Sequence, residues 1–346
     1  MTEDSLVAAL REICEARASE ASPGPCKIVL GIGDDAAAWQ PSRSHLSVIT
    51  TDALVDGVHF RSDTMDAAAI GHRAMAANLS DIAAMGARPV LATVALGVTP
   101  QTTEAWLRAC YGGMAALAAV HGARIVGGDV TASPALSLAL TLVGEVSRAH
   151  LKTRSSGRGG DVLAVTGPLG ASRAGLELMR RGLAAGELGD PALGRLDADE
   201  RRAAETSFAR PTPRVREGRF LGASAYVRAM MDGSDGLSTD VARLARASGC
   251  GATLDEVPVH LAAFAVACAV GDDPTHYALD GGEDFELLVA VAPRAFAHLS
   301  RKFALAFGSP LLPVGHLDAE PGIRIAETGV ARELVAAGYD HLSAAR

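Results

Sequence analysis

Aromatic residues are scarce in this 346-residue chain, at 4%, although the apolar fraction of 49%, mostly alanine, leucine and valine, is ample for burial. That balance excludes a disordered chain and points to a soluble globular one. Cysteine is sparse too: Cys14, Cys26, Cys110, Cys250 and Cys268 are odd in number and never in C-x-x-C spacing. A disulfide framework is excluded and a structural zinc site has no ligand pattern, so each cysteine reads as a small buried hydrophobe. Long apolar runs are missing; nothing approaches the ~18 residues of a membrane span. The opening residues MTEDSLVAAL lack the basic and apolar regions of a signal peptide, so the expected location is cytoplasmic. Basic charge forms no block: 32 lysines and arginines stand against 40 acids, a net of −8, which argues against nucleic acid as a partner. Also missing are the G-x-x-x-x-G-K-[ST] phosphate loop and the H-R-D and D-F-G pair of protein kinases.

What is present is aspartate in unwelcoming places. Five segments hold it: GIGDDAAA (31–38), TTDALVDGVHF (50–60), NLSDIAAMGARP (78–89), VGGDVTASP (126–134) and MDGSDGLSTD (231–240). In each the acid is flanked by glycine or by small and apolar residues, with no lysine or arginine written in as a partner. A carboxylate in such surroundings suffers a large desolvation cost unless a counter-charge meets it. A divalent cation is the economical answer, and several acids around one suggest phosphate chemistry. An acidic surplus also suits an anionic substrate only where metal ions stand between the two.

The chain exceeds the usual size of one hydrophobic core, so two domains are expected. Strands and helices mix in both halves, which predicts an α/β or α+β class. The spacing predicts helices over 5–18 with Ser5 as N-cap, 66–87 opened by Asp66, 102–121 closed by Gly122, 170–182, 199–208, 237–248, 260–270 and 293–306. Strands are expected at CKIVL, LSVITTDAL, PVLATVALGV, ARIVGGD, LSLALTLVGEV, DVLAVTG, AYVRAMMD, GATLD, FELLVAV and near 311–316 and 322–326. The glycine- and serine-rich, basic stretch 149–161 is the expected boundary, giving domains 1–150 and 151–346. KIVLGIGDDAA imitates a dinucleotide fingerprint, with Asp52 downstream. Two aspartates facing a pyrophosphate would repel it, and the gap before residue 46 is too short for the ~10–12-residue crossover that parallel strands need.

Singly, each acid has a bland reading. Asp35 could cap a turn, Asp52 could end a strand, and Asp129 could sit in a G-G-D turn. Asp81 resists this, because its helical neighbours Asn78, Ala77, Ala84 and Met85 offer no cation. Asp232 and Asp235 bracket Gly233 and Ser234 just before a helix, where backbone N–H groups can meet an anion.

GIGDDAA, TTD-x-L-V-x-G-V-H-F, A-x-N-L-S-D-I-A-A-M-G-A-x-P, G-G-D-x-T, S-D-G-L-S-x-D and GGEDFEL (281–287) follow one another in this order. By these motifs the chain resembles the thiamine-monophosphate kinase family, of the superfamily that also holds aminoimidazole ribonucleotide synthetase and selenophosphate synthetase. The resemblance runs from about residue 5 to GYDHL at 338–342. It implies a homodimer of two-domain α/β subunits, with the N-terminal sheet pairing across the dimer axis. It further implies ATP and thiamine monophosphate as substrates and several Mg²⁺ ions as cofactors. The Mg²⁺ ligands it implies are Asp35, Thr50, Thr51, Asp52, Asp81, Asp129 and Asp232, with Asp34 either a ligand or the support of one, and Asp235 near a further metal and the acceptor phosphate. Hard oxygen donors suit Mg²⁺ rather than zinc. For ATP the resemblance points to Tyr111, Gly128, Asp129, Arg154 and Ser234; for thiamine phosphate, to His59, Glu283 and Tyr339. Asp235 is the candidate base if the reaction uses one, although an ionised phosphate oxygen needs none.

Gly233 departs from the family pattern, which more often has an aliphatic residue there, and is expected to loosen the strand end beside Asp232. Selenophosphate synthetase would want a reactive cysteine in a glycine-rich segment, whereas Cys14 falls in a helix and Cys26 beside prolines. The hydrogenase-maturation relative would end in cysteine, whereas this sequence ends HLSAAR. The alternatives retained are an aminoimidazole ribonucleotide synthetase-like enzyme, a nucleotide and metal sensor on the same scaffold, and a metal-dependent hydrolase.

Overall fold

The computed structural model describes residues 3–18, 27–32, 36–185, 190–327 and 330–338. Two compact units emerge, one of Met1–Ile82 with Gly86–Leu151 and one of Ala83–Met85 with Lys152–Arg346.

The first unit runs α1 (Glu3–Ala18), β1 (Lys27–Leu30), β2 (Ala38–Gln40), β3 (His45–Val55), α2 (Ala67–Ala84), β4 (Arg88–Val98), α3 (Glu104–Val120), β5 (Arg124–Ala132) and β6 (Ser137–Ser147). Its main sheet has the order β3-β6-β4-β5, with β4 and β5 parallel and the other pairs antiparallel. α3 supplies the crossover that parallel neighbours require. β1 pairs antiparallel with β2 in a separate ribbon, so the dinucleotide arrangement is absent. Strand alternation is clear in β6: Leu138, Leu140 and Leu142 are wholly buried, while Ala139 and Thr141 between them are only half-buried. α2 lies over the leucine face, because its Asp81 accepts a hydrogen bond from Thr50, the residue opposite Leu142.

Close helix packing explains the small residues. A Cβ on Gly113 of α3 would come 2.0 Å from the Ala68 carbonyl oxygen of α2, and one on Gly71 would come 2.0 Å from that of Cys110. The two backbones touch at a reciprocal pair of glycines. Asp66 caps α2, its Oδ1 accepting from the Ala69 N–H at 2.8 Å. α1 begins at Glu3, so Ser5 lies inside the helix and is not its N-cap.

The second unit contains β7 (Val162–Val165), α4 (Ala171–Ala185), α5 (Ala198–Ala209), α6 (Val215–Gly222), β8 (Val227–Asp232), α7 (Leu237–Ala247), β9 (Gly251–Leu254), α8 (Leu261–Val270), α9 (Pro274–Asp280), β10 (Leu287–Val291), α10 (Pro293–Phe307), β11 (Leu312–Asp318), β12 (Ile323–Glu327) and β13 (Val330–Glu333). The sheet order is β13-β12-β9-β11-β7-β10-β8, antiparallel except for β12 beside β9. Leu237, Val241 and Leu244 of α7 pack with Leu163, Met231 and Leu288 of the strands. α4, α5 and α8 form a second apolar cluster through Ala174, Leu178, Ala204 and Val266.

Besides the short strands β2 and β13, two helices depart from the sequence reading. α6 starts inside the proline-broken RPTPRVREG, because Pro213 precedes rather than enters it. The short helix α9 follows Asp273, whose side chain accepts from the Thr275 N–H, with Pro274 at its first position. Of the cysteines expected to be buried, Cys14 and Cys110 are, Cys250 is half-buried and Cys268 is exposed; Cys26 lies outside the described residues. No helix among the described residues is long and apolar enough to cross a membrane.

Gly113→Ala should therefore destabilise the first unit by about 2–3 kcal/mol in denaturant unfolding. Gly112→Ala, with nothing within 4 Å of the new Cβ, should be neutral or stabilise by up to about 1 kcal/mol. Equal effects would contradict the close helix contact.

Candidate functional site

In the first unit, eleven residues of β3 pair without interruption to β6, and this fixes which side chains share a face. Thr50 and Asp52 point to the helix-covered face. There the Thr50 hydroxyl donates to Asp81 Oδ2. Burial pushes the Asp52 carboxyl up to about 6, and the like charge of Asp81 adds to the shift. Two carboxylates and a hydroxyl are thus set close together by a strand and a helix rather than by a loop. Thr51 faces the other way, its Oγ1 donating to the Leu140 carbonyl at 2.9 Å.

Asp129 is not in a turn. β5 continues through Gly127, Gly128 and Asp129, which pair with Thr93, Val94 and Ala95 of β4. The G-G-D signal misleads because glycine serves close approach here: a Cβ on Gly128 would sit 2.1 Å from the Val94 carbonyl oxygen. Through the rows Asp129–Ala95 and Ala95–Ala139–Ala53, Asp129 shares the face of Thr51, opposite Asp52. It is exposed. His59 lies in the turn after β3, its Nδ1 accepting from the Val55 N–H at 3.1 Å, which puts the ring proton on Nε2. Tyr111 is buried in α3, 4% exposed, and burial pushes its hydroxyl well up. Asp34, Asp35 and Tyr339 lie outside the described residues.

In the second unit β8 ends on Asp232, which is 2% exposed. Gly233 does not loosen this end. Its N–H donates to the Glu286 carbonyl at 2.7 Å and its carbonyl accepts from the Phe285 N–H at 3.0 Å, which pins the strand to the GGEDFEL segment. Gly236 opens α7 at φ +104°. The backbone N–H groups near this helix start are engaged from within: the Asp235 N–H donates to Asp240 Oδ2 at 3.3 Å. Asp240, 1% exposed, has its carboxyl pushed well up, first by burial and then by Asp232, against the pull of Arg154 and of the Gly236 and Ser234 backbone. Arg154 is exposed, and its carbonyl accepts from the Ser248 hydroxyl at 2.7 Å. Asp235 pairs with Arg243, eight residues on within α7.

Glu283 is held at φ +57° and Phe285 at φ +53°, a region that residues other than glycine rarely adopt. Their neighbours do the holding. Asp284 accepts from the Gly170 and Ser172 N–H groups at 2.6 and 3.1 Å, at the start of α4. Its carboxyl is pushed up to about 7, chiefly by burial. Glu286 accepts from the Thr166 hydroxyl at 2.5 Å and forms a two-pronged pair with Arg214. In the sequence, the acid-rich GGEDFEL motif and RPTPRV are the signals for Asp284, Glu286 and Arg214, but neither motif contains the partners of its own residues.

Among the described residues no three histidine, cysteine, aspartate or glutamate side chains converge as a metal cluster. The Thr50, Asp52 and Asp81 group nevertheless fits a hard divalent cation: all donors are oxygen, and a cation would reverse the repulsion that raises Asp52.

Residues 33–146 match the family model for the N-terminal domain of AIR synthase related protein, and residues 158–325 that for its C-terminal domain. The thiamine-monophosphate kinase of Salmonella typhimurium is 33% identical over 314 residues, 90% of this chain and 92% of that one. This chain belongs to the thiamine-monophosphate kinase family. A crystal structure of the family from Stenotrophomonas maltophilia K279a superposes with TM-score 0.80 at 34% identity, covering 93% of this chain and 97% of the other. AaThiL complexed with AMPPCP and TMP superposes with TM-score 0.74 at 28% identity, over 87% and 89% of the two chains. The kinase-family fold thus spans both units.

Removing the buried carboxylate in Glu286→Ala takes the two-pronged partner from Arg214, which keeps only Glu217 at 3.8 Å, and the acceptor from the Thr166 hydroxyl; it should destabilise the second unit by about 3 kcal/mol, the lower end for a buried pair because Arg214 is partly exposed. Denaturant unfolding of the full chain checks this; an unchanged transition would contradict it.

Proposed function

We propose that this chain transfers the γ-phosphoryl group of ATP directly to the phosphate of thiamine monophosphate, giving thiamine diphosphate. The observation that carries the reading is the Thr50, Asp52 and Asp81 group, two repelling carboxylates that a family of phosphoryl-transfer enzymes would fill with metal. The relative AaThiL, in complex with the ATP analogue AMPPCP and with TMP, supports both substrates.

Several Mg²⁺ ions are proposed as cofactors. In the first unit Thr50, Asp52 and Asp81 would serve on the helix-covered face and Thr51 and Asp129 on the other, with Asp34 and Asp35 as further ligands; in the second unit Asp232 and Asp235 would serve. When bound, the ions would neutralise phosphate charge, the main requirement of a phosphoryl transfer that needs little covalent help. For ATP the proposed residues are Tyr111, Gly128 and Asp129 of the first unit, and Arg154 and Ser234 of the second, of which Arg154 would offer a guanidinium to a phosphate and Ser234 a hydroxyl. On the acceptor side, His59 presents an Nε2–H donor. Glu283 supplies negative charge for the cationic thiazolium, and Tyr339 an aromatic face. Asp235 orients the acceptor phosphate, whose ionised oxygen attacks without a general base. The functional boundary is proposed at 149–161, with residues 1–150 binding ATP and Mg²⁺. The cytoplasm is the proposed location.

A homodimer through the first-unit sheet is proposed as well. β3 is an edge strand with Ile49 72% exposed, an edge that proteins commonly cover. A monomeric mass at micromolar concentration would contradict it.

Purified protein with ATP and Mg²⁺ should form thiamine diphosphate from thiamine monophosphate, but not from thiamine, and lose activity on chelation. Asp81→Asn should cut turnover by about 100-fold or more. In metal-free buffer its unfolding midpoint should match or exceed the parent's, because a repelling charge is gone. Product from another acceptor would replace the substrate; near-normal turnover in Asp81→Asn would remove that residue from the metal site.

A further inference from the structure

Three separated stretches of the second unit meet at the first turn of α7. The first is the turn itself. The second comes from α9 and the glycines after it: a Cβ on Gly236 would sit 2.6 Å from the Leu279 carbonyl oxygen, and one on Gly282 2.7 Å from that of Ser234. The Glu283 N–H also donates to the Ser234 carbonyl at 2.8 Å. The third is the chain after β13. The Gly338 N–H donates to Thr239 Oγ1 at 3.1 Å, and a Cβ on Gly338 would lie 2.1 Å from the Asp235 carbonyl oxygen.

Two neighbouring hydroxyls make this junction. Ser238, fully buried, donates to Asp280 Oδ1 at 2.6 Å and accepts from the Ala337 N–H at 3.4 Å. Thr239 accepts from Gly338. Serine and threonine in a first helical turn would ordinarily serve their own helix's backbone. Here they reach sideways to other segments. We propose that Ser238 and Thr239 are positioning residues for the acceptor: they clasp the 280–283 and 334–338 stretches onto α7, so that Asp235 and Glu283 form one rigid surface. Neither hydroxyl is assigned to contact substrate. The proposal rests on the reading above that Asp235 and Glu283 flank thiamine phosphate.

Thr239→Val keeps the side-chain shape and removes the acceptor of the Gly338 N–H. Loss of one such bond should raise the KM for thiamine monophosphate about fivefold, with kcat and the KM for ATP within about twofold. Thr239→Ser, which retains the hydroxyl, should restore the parent KM. Amide hydrogen exchange across 334–338 should quicken in Thr239→Val and not in Thr239→Ser. Gly338→Ala approaches the clasp from its other side and should move the same constant in the same direction, which keeps the proposal testable if the valine variant folds poorly. An unchanged KM for thiamine monophosphate, or equal rises for both substrates, would overturn the clasp while leaving the function intact. A parent enzyme silent toward thiamine monophosphate would overturn the function and, with it, the role given to the clasp.

Discussion

Like-charged carboxylates brought close in partly buried surroundings are the constraint around which both units are arranged. Asp52 beside Asp81, and Asp240 beside Asp232, are each raised by burial and by the neighbouring negative charge. Such pairs weaken a fold that holds nothing else at the site. Their persistence makes sense where function supplies positive charge from outside, and the membership of this chain in a kinase family that handles two phosphate-bearing substrates supplies that reason. The second unit also uses internal cations. Arg243 stands on Asp235 and also reaches Asp240 at 3.6 Å, and Arg214 stands on Glu286, so part of the negative charge of the second unit is met from within.

Rigid elements deliver these groups. β3 and α2 place Thr50, Asp52 and Asp81, and the contact of α2 with α3 through Gly71 and Gly113 lets the helices lie close. In the second unit the 281–286 segment is set by backbone bonds to Gly233 and Ser234 and by side-chain bonds from Asp284 and Glu286. Holding Glu283 and Phe285 at positive φ costs energy that these contacts offset.

The regular elements were largely legible in the sequence because their periods are strong. β3, β4 and β6 read as strands and α2 as a helix opened by Asp66, as found. α9 and β13 are short, with only a few residues to express a pattern, and α6 hid behind prolines that precede it. The strand expected at ARIVGGD is present and runs on past Asp129, whereas the turn offered for Asp129 fails for a physical reason: glycine signals both left-handed backbone and close approach, and local sequence does not separate the two. The face assignment of Asp129 depended on strand register, which no single segment contains. The pairings of Asp284, Glu286, Arg214 and Arg243 were not legible, because their partners lie on other elements or eight residues along the chain.

The claim that matters most is that the facing carboxylates of the first unit hold a divalent cation. Mn²⁺ titration followed by electron paramagnetic resonance, with AMPPCP present, tests it directly on the full-length protein and on Asp52→Asn. The account predicts saturable Mn²⁺ binding to the parent and at least about tenfold weaker binding, or fewer ions bound, in the variant. Identical binding in both would contradict it.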